Sequence, residues 1–414
     1  MSYTPQEVFL LAASFVIAFP YLLWRFAGVR RIVPLVVVQM LVGLLLGPSI
    51  FGNLAPDWHA MFFPAANVAR MSSIAMLAVV LYAFQTGMHL EVAAIGDRKA
   101  FARIAAGSFL VPLIGGCAFG VWVAHTFPEA VGPNAQAWQF TFAIGILVAV
   151  TALPVLAALL TEMGLLHTKL GQQATALAAA NDAGLWICLS LLLLSLTQVA
   201  GGESIPILIP LYAIAILAVR SGLKRLAAQG HSGRQRDGLL VLGCAMALAS
   251  AFAADKVGLG YVFGAFVAGL VMPPVLRTEL LQRLETPTVI VLLPFYFVAT
   301  GLRTDAELFS PSLIMLTVLT TLVAIVGKVI GASIPARLAG HGWSHSLSLG
   351  VLLQSKGLME VIVVTILLDA GVITQVLFSS VILTAIICTA IAAPLVRLLQ
   401  ARRADSRDCL ARAE

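Results

Sequence analysis

Asp182, Lys328, Lys356 and Glu360 are charged side chains set inside long apolar runs. Asp182 stands in Ala174-Thr175-Ala176-Leu177-Ala178-Ala179-Ala180-Asn181-Asp182-Ala183-Gly184-Leu185-Trp186, twelve residues after Leu170 and near the centre of its run. A carboxylate at the middle of a bilayer costs at least about 2.5–3.5 kcal/mol on insertion scales, so it must face a partner or water. The small residues around it would let another helix or a hydrated path come close. Asn181 adds a neutral carbonyl oxygen, and the pair offers hard oxygen ligands suited to Na⁺, K⁺ or a proton. The plainer alternative is a structural aspartate held in a buried salt bridge. Lys328, in Gly327-Lys328-Val329-Ile330-Gly331, is the one ammonium of its run, and an ionised Asp182 is a natural partner for it when no cation is bound. The alternative there is a lysine reaching for the membrane surface, since Arg337 follows nine residues on. Lys356 and Glu360 are four apart, share a helix face and can neutralise each other as a structural ion pair.

Two apolar runs are interrupted at mid-depth beside polar groups. One reads Val150-Thr151-Ala152-Leu153-Pro154, and Pro154 removes a donor and frees carbonyls around Val150. The other reads Gln354-Ser355-Lys356-Gly357. Freed backbone groups inside a bilayer are tolerated only where protein or a water-filled cavity satisfies them. Either interruption alone is also what an ordinary membrane-helix kink looks like.

Charged residues make up 11% of the 414 residues, hydrophobic residues 60%, and mean hydropathy is +0.99. A soluble domain carries about a quarter of its residues as charges, so the solvent here is lipid. Thirteen stretches reach spanning length: about 7–24, 32–49, 70–90, 101–125, 137–162, 170–198, 205–220, 237–255, 258–275, 286–302, 310–338, 345–369 and 373–398. The first follows Glu7 without a basic start or a small-residue cleavage site, so it reads as a retained helix. With the N-terminus outside, 20 of the 25 Lys and Arg residues fall on the inner side, including Arg30, Arg31, Arg98, Lys99, Lys169, Arg225 and Arg402. The positive-inside rule therefore places the C-terminus in the cytoplasm.

Spans 2–6 and 9–13 form two five-helix units that start on opposite sides of the membrane, and the interrupted span is the fourth of each. Paired interruptions in inverted repeats point to a transporter's midplane site. The basic loop from Arg220 to Asp237 joins the two halves. The five cysteines and seven histidines show no metal-ligand spacing, and the histidines read as scattered singly through loops and span ends. The basic residues lie in short loops, which speaks for topology and against nucleic acid. No nucleotide loop or other cofactor motif is read.

At these residues the sequence resembles the monovalent cation:proton antiporter-2 family, the membrane part of Kef-type and related Na⁺/H⁺ exchangers. The likeness lies in Leu41-Val42-Gly43-Leu44-Leu45-Leu46-Gly47-Pro48, Thr151 to Ala157, Asn181-Asp182, Pro294-Phe295-Tyr296-Phe297 through Gly301-Leu302-Arg303-Thr304-Asp305, and Lys356-Gly357-Leu358-Met359-Glu360. The resemblance implies an all-α polytopic fold and a homodimer in the inner membrane. It implies a membrane domain over residues 1–398 with scaffold helices at about 7–90 and 237–275, a linker helix at about 205–220, and core helices at about 101–198 and 286–398. Residues 399–414 read as a short cytoplasmic tail. It also implies two crossed broken helices, elevator-like movement, Asp182 as cation and proton carrier, Lys328 as its counter-charge and Thr151 near the ion. Pro154, Ser355, Lys356, Gly357 and Glu360 would support the broken helices.

Two departures qualify the likeness. Many electrogenic relatives carry adjacent aspartates where this chain has Asn181-Asp182, so the pair here holds one carboxylate instead of two. Arg is more usual at the position of Lys356, and a lysine cannot pair in the same forked way. Kef-type proteins also carry a cytosolic nucleotide-binding domain, and gating by that route is not expected here. The resulting expectation is exchange of Na⁺ or K⁺ for H⁺ by a transporter that is not an enzyme. Two rivals stay open: a Na⁺-coupled organic-anion carrier of the same fold, and a non-transporting sensor or channel-like subunit.

Overall fold

The computed structural model describes residues 4–26, 35–89, 97–199, 205–227, 233–302 and 310–411. Arg30, Arg31, Arg303, Thr304 and Asp305 lie outside them. The described residues are helical, without a strand; one isolated bridge pairs Val131 with Ile373. In chain order the helices are α1 (Pro5–Phe26), α2 (Leu35–Leu46), α3 (Pro56–Phe62), α4 (Ala65–His89), α5 (Arg98–Thr126), α6 (Ala137–Ala149), α7 (Leu153–Glu162), α8 (Lys169–Val199) and α9 (Ile205–Ala227). Then come α10 (Gly233–Lys256), α11 (Tyr261–Val271), α12 (Pro274–Pro287), α13 (Leu293–Leu302), α14 (Pro311–Leu338), α15 (Trp343–Leu353), α16 (Leu358–Asp369) and α17 (Gln375–Ala411).

Among the described residues, seven helices are long and apolar enough to cross a membrane by length and composition. The difference from thirteen has local causes. The fifth and twelfth predicted spans are each split in two, so neither half has full length. The second and ninth predicted spans coincide with shorter apolar helices, α2 continued to Gly52 and α11.

Three elements differ from the sequence reading, the first being the short α3 between the second and third expected spans. The tenth span is expected from residue 286, but helix begins at Pro274 and continues through a π turn at Thr288–Leu292. The charges of α12 lower hydropathy without opposing helix: Arg283 pairs with Glu279 one turn away at 2.7 Å. Arg277 donates to the Met272 and Leu270 carbonyl oxygens at 2.8 Å, covering the end of α11. The last helix is expected to end near 398 and runs instead to Ala411, because residues 399–411 hold no Pro or Gly to stop it.

The chain divides into two compact units. The first comprises Met1–Ala18, Ala55–Glu91 and Trp186–Ala299. Its core gathers Phe84, Met88, Ala247, Ala268, Met272 and Leu280. There α4 and α11 touch backbone to backbone: a Cβ on Gly87 would lie 2.1 Å from the Phe266 carbonyl oxygen, and one on Gly269 2.0 Å from that of Phe84. Small residues at such crossings let membrane helices pack closely.

The second unit comprises Phe19–Leu54, Val92–Leu185 and Thr300–Glu414. Here α14 packs on α5, α15 and α17, and α5 packs on α6. Asp97 caps α5 through the Lys99 and Ala100 amides, and Ser310 caps α14 through Leu313. The α5–α14 crossing is again tight, since a Cβ on either Gly107 or Gly331 would fall 2.5 Å from the other's carbonyl oxygen. The loop before α6 is tied to the turn after α16 by Gly132 N to Val372 O (3.0 Å), Asn134 N to Gly371 O (3.0 Å) and Thr374 N to Ala130 O (3.2 Å).

Candidate functional site

Every residue singled out in the sequence for ion chemistry lies in the second unit. Helix α6 stops at Ala149, and Val150, Thr151 and Ala152 are not helical before α7 resumes at Leu153. Pro154 occupies the opening of α7, where its missing amide proton removes no helical bond. In the second interruption α15 ends at Leu353 and α16 begins at Leu358, with Gln354 to Gly357 between them.

The two interruptions meet. The Ala152 amide donates to the Ser355 carbonyl oxygen at 3.0 Å, and Thr151 Oγ1 donates to that of Leu353 at 2.9 Å. Lys356 Nζ donates to the Leu147 carbonyl oxygen and to Glu360 Oε1, both at 2.8 Å. Each interrupted segment thus satisfies carbonyl groups that the other frees, which is what a broken helix at membrane depth requires. Ser355 Oγ turns back to the Leu352 carbonyl oxygen at 2.7 Å. Gly357 takes φ 155°, ψ −126°, and a Cβ there would sit 2.7 Å from Val155 Cγ2.

Asp182 lies beside this crossing on α8 and is 1% exposed. Its two carboxylate oxygens accept no hydrogen bond among the described residues. Asn181, 2% exposed, donates from Nδ2 to Thr151 Oγ1 at 3.4 Å and accepts at Oδ1 from Ser108 Oγ at 3.2 Å. Lys328 is wholly buried, and its Nζ donates to the Ser108 carbonyl oxygen at 3.0 Å rather than to Asp182. Asp182 and Lys328 still act on each other electrostatically, and Lys328 also feels Lys356 and Glu360.

The structure therefore bonds Asn181 to Thr151 and Lys356 to Glu360, ties Ser355 to the first interruption through Ala152, and leaves Asp182 and Lys328 without a bond to each other. Two residues, Ser108 and Thr389, and the contact made by Gln354 escape sequence reading. Ser108 is a single hydroxyl in the apolar run of α5; its neighbour Gly107, a small residue in a long apolar helix, is the one local hint of a tight crossing. Gln354 Nε2 donates to the Cys388 carbonyl oxygen at 3.0 Å. Thr389 Oγ1 donates to the carbonyl oxygen of Lys356. Their signal is a polar side chain deep in an apolar run, which carries no indication of its partner.

One reading of the histidines needs correcting. His341 and His345 are not isolated: their rings stack at 4.7 Å, with Nε2 atoms 3.4 Å and 2.9 Å from the Gln173 amide of α8. The turn after α14 folds residue 341 back over the first turn of α15. No group of three metal-ligating side chains occurs among the described residues.

The family model for the sodium/hydrogen exchanger, transmembrane, matches residues 11–398. The chain belongs to the sodium/hydrogen exchanger family. The K(+)/H(+) antiporter 1 of Saccharomyces cerevisiae is 29% identical over 412 residues, 96% of this chain and 47% of that protein. Cation/H(+) antiporter 20 of Arabidopsis thaliana is 31% identical over 382 residues, 88% of this chain and 45% of its own length. Na(+)/H(+) antiporter NhaS4 of Synechocystis is 30% identical over 373 residues, 88% of this chain and 90% of that protein. The chain thus spans about half the length of the yeast and plant proteins and nearly all of the cyanobacterial one. The apolar helices and these relatives make this sodium/hydrogen exchanger family member a multi-pass membrane protein. Among the site's oxygen donors are one carboxylate, one amide carbonyl and one hydroxyl, a set suited to a hard monovalent cation or a proton.

Proposed function

We propose that the protein exchanges a monovalent cation, Na⁺ or K⁺, for H⁺ by competition at Asp182. The observation that carries this reading is the buried Asp182 carboxylate, free of hydrogen bonds among the described residues, beside Asn181 and Thr151 where two interrupted helices meet. An isolated buried charge is costly. The carboxylate is therefore stable when it takes up a proton or a cation, and the two exclude each other. Asn181 Oδ1, Thr151 Oγ1 and carbonyl oxygens freed at the interruptions complete a cation shell. Lys328 supplies the counter-charge when the site is empty, reached by a side-chain movement away from the Ser108 carbonyl oxygen. Pro154, Ser355, Lys356, Gly357 and Glu360 support the break.

Movement of the core helices as an elevator against scaffold helices at about 7–90 and 237–275, through a linker at about 205–220, belongs to the same proposal. So do thirteen crossings with inverted five-helix repeats, a homodimer, and an inner-membrane setting with the N-terminus outside. The names of the relatives, which include a K(+)/H(+) and a Na(+)/H(+) antiporter, support cation exchange and leave the ion to experiment.

The test is reconstitution into liposomes carrying a pH gradient, with Na⁺, K⁺ and Li⁺ supplied in turn and then with an imposed membrane potential. Cation-triggered dissipation of the gradient is expected, absent in a folded Asp182→Asn variant. Continued exchange by that variant would overturn the mechanism.

A further inference from the structure

Helix α5 puts one hydroxyl between the two sides of the ion site. Ser108 is wholly buried, with its Oγ 3.2 Å from Asn181 Oδ1 and 3.1 Å from the Ala105 carbonyl oxygen. Its own carbonyl oxygen accepts from Lys328 Nζ at 3.0 Å. A serine hydroxyl has a single proton to donate, so two acceptors compete for it. Both distances exceed the usual value of about 2.7–2.8 Å for such bonds, as expected of a shared proton.

On its other side the Asn181 amide faces Thr151 Oγ1, whose own proton is committed to the Leu353 carbonyl oxygen. The amide is thus held with its nitrogen toward Thr151 and its oxygen toward Ser108. We infer that Ser108 is a positioning residue that sets cation affinity by holding the Asn181 carbonyl oxygen until its hydroxyl turns to Ala105. The inference rests on the reading of Asn181-Asp182 as the cation site. Asn181 Oδ1 has a second lone pair for a cation at Asp182, but the partly positive Ser108 hydroxyl hydrogen on the first weakens that oxygen as a ligand, so it binds the cation best once the hydroxyl has turned away. The Ala105 carbonyl oxygen is near enough to receive that hydroxyl, so no buried donor is orphaned by the change. The bond therefore stabilises the empty site and opposes cation binding by about one hydrogen bond. Because Lys328 is held by the backbone of Ser108, a side-chain substitution leaves that contact available.

The experiment measures exchange kinetics of Ser108→Ala and Ser108→Thr in proteoliposomes beside the parent protein and Asp182→Asn. For Ser108→Ala the apparent KM for the cation falls roughly fivefold, the equivalent of about one hydrogen bond. The effect resides in KM rather than in the maximal rate. Ser108→Thr keeps the hydroxyl and returns KM toward the parent value. A merely structural serine would lower the rate or the melting temperature without lowering KM. Cation-dependent melting of purified Ser108→Ala gives a second readout, its stabilisation setting in at roughly fivefold lower cation concentration. An unchanged or raised KM in folded Ser108→Ala, or an equal fall in both variants, overturns the inference while silence of Asp182→Asn leaves the exchange reading standing. Exchange persisting in Asp182→Asn overturns both.

Discussion

Lys356 Nζ donates at 2.8 Å to the carbonyl oxygen of Leu147, joining the second interruption to the last turn of α6. The carboxyl end of a helix carries partial negative charge, and the amino end partial positive charge. Lys356 meets the first kind of end, and Glu360, in the first turn of α16, sits at the second. Their mutual 2.8 Å bond, at 0% and 1% exposure, lets both charges stay buried. Removing one partner of such a pair strands the other. Lys356→Met should therefore cost about 3–5 kcal/mol of stability. Adding Glu360→Leu should recover much of that loss, measured by thermal melting in detergent. Equal destabilisation by the single and double variants would contradict the pairing.

Lys356→Arg should be tolerated better than Lys356→Met. Glu360 Oε2 accepts no hydrogen bond among the described residues, while Oε1 is held by Lys356. A guanidinium presents a fork that can serve both oxygens, although it must fit where Lys356 is wholly buried. A melting temperature for Lys356→Arg well above that of Lys356→Met is expected, and similar values for the two would show that the fork finds no room.

Thr151 both donates to the Leu353 carbonyl oxygen and faces Asn181 Nδ2. Thr151→Val keeps the shape and removes the hydroxyl, leaving a buried carbonyl acceptor short of a partner. About 1–3 kcal/mol of stability should be lost, with a raised KM for the cation. Thr151→Ser should restore both. A Thr151→Val protein with parent KM would remove this hydroxyl from the proposed cation shell.

How much of this was legible in the sequence depends on the physics each residue obeys. Helical stretches and the positions of both interruptions follow from hydropathy, Pro154 and Gly357, which act locally. Asp182 and Lys328 stand out because a charge in an apolar run is expensive wherever it sits. The partner of each is a different matter. Lys328 donates to a carbonyl oxygen on α5, and no residue type marks a backbone acceptor. Ser108 is an ordinary serine until packing sets its hydroxyl on Asn181 of α8 and, where α5 meets α14 at Gly107 and Gly331, its carbonyl oxygen on Lys328. The polar α12 was missed for the opposite reason, since its charges hide a helix from hydropathy while leaving its backbone propensity intact.

Gly357→Ala tests the backbone of the second interruption. The conformation at φ 155°, ψ −126° is one that side chains rarely adopt, and the new methyl would meet Val155 Cγ2 at 2.7 Å. Strained backbone of this kind costs about 1–3 kcal/mol. The variant should melt lower, and Val155→Ala should relieve only the steric part. Full rescue by Val155→Ala would mean that the backbone conformation itself contributes no cost.

The competition proposed at Asp182 has a definite pH signature. Lowering the pH on the side where the cation binds raises proton occupancy of the carboxylate, so more cation is needed to displace it. Once the proton holds most of the sites, apparent KM should rise about tenfold per pH unit by mass action. At higher pH, where the carboxylate is already bare, KM should flatten. Saturating cation should still reach the same occupancy, because the proton is displaced rather than bound alongside. Initial rates over a matrix of pH and cation concentration separate this from two independent sites. Independent sites would hold KM flat and let pH change only the maximal rate. Ser108→Ala sharpens the test, since a tighter hold on the cation should carry the rising part of the curve to lower pH by the logarithm of its KM change.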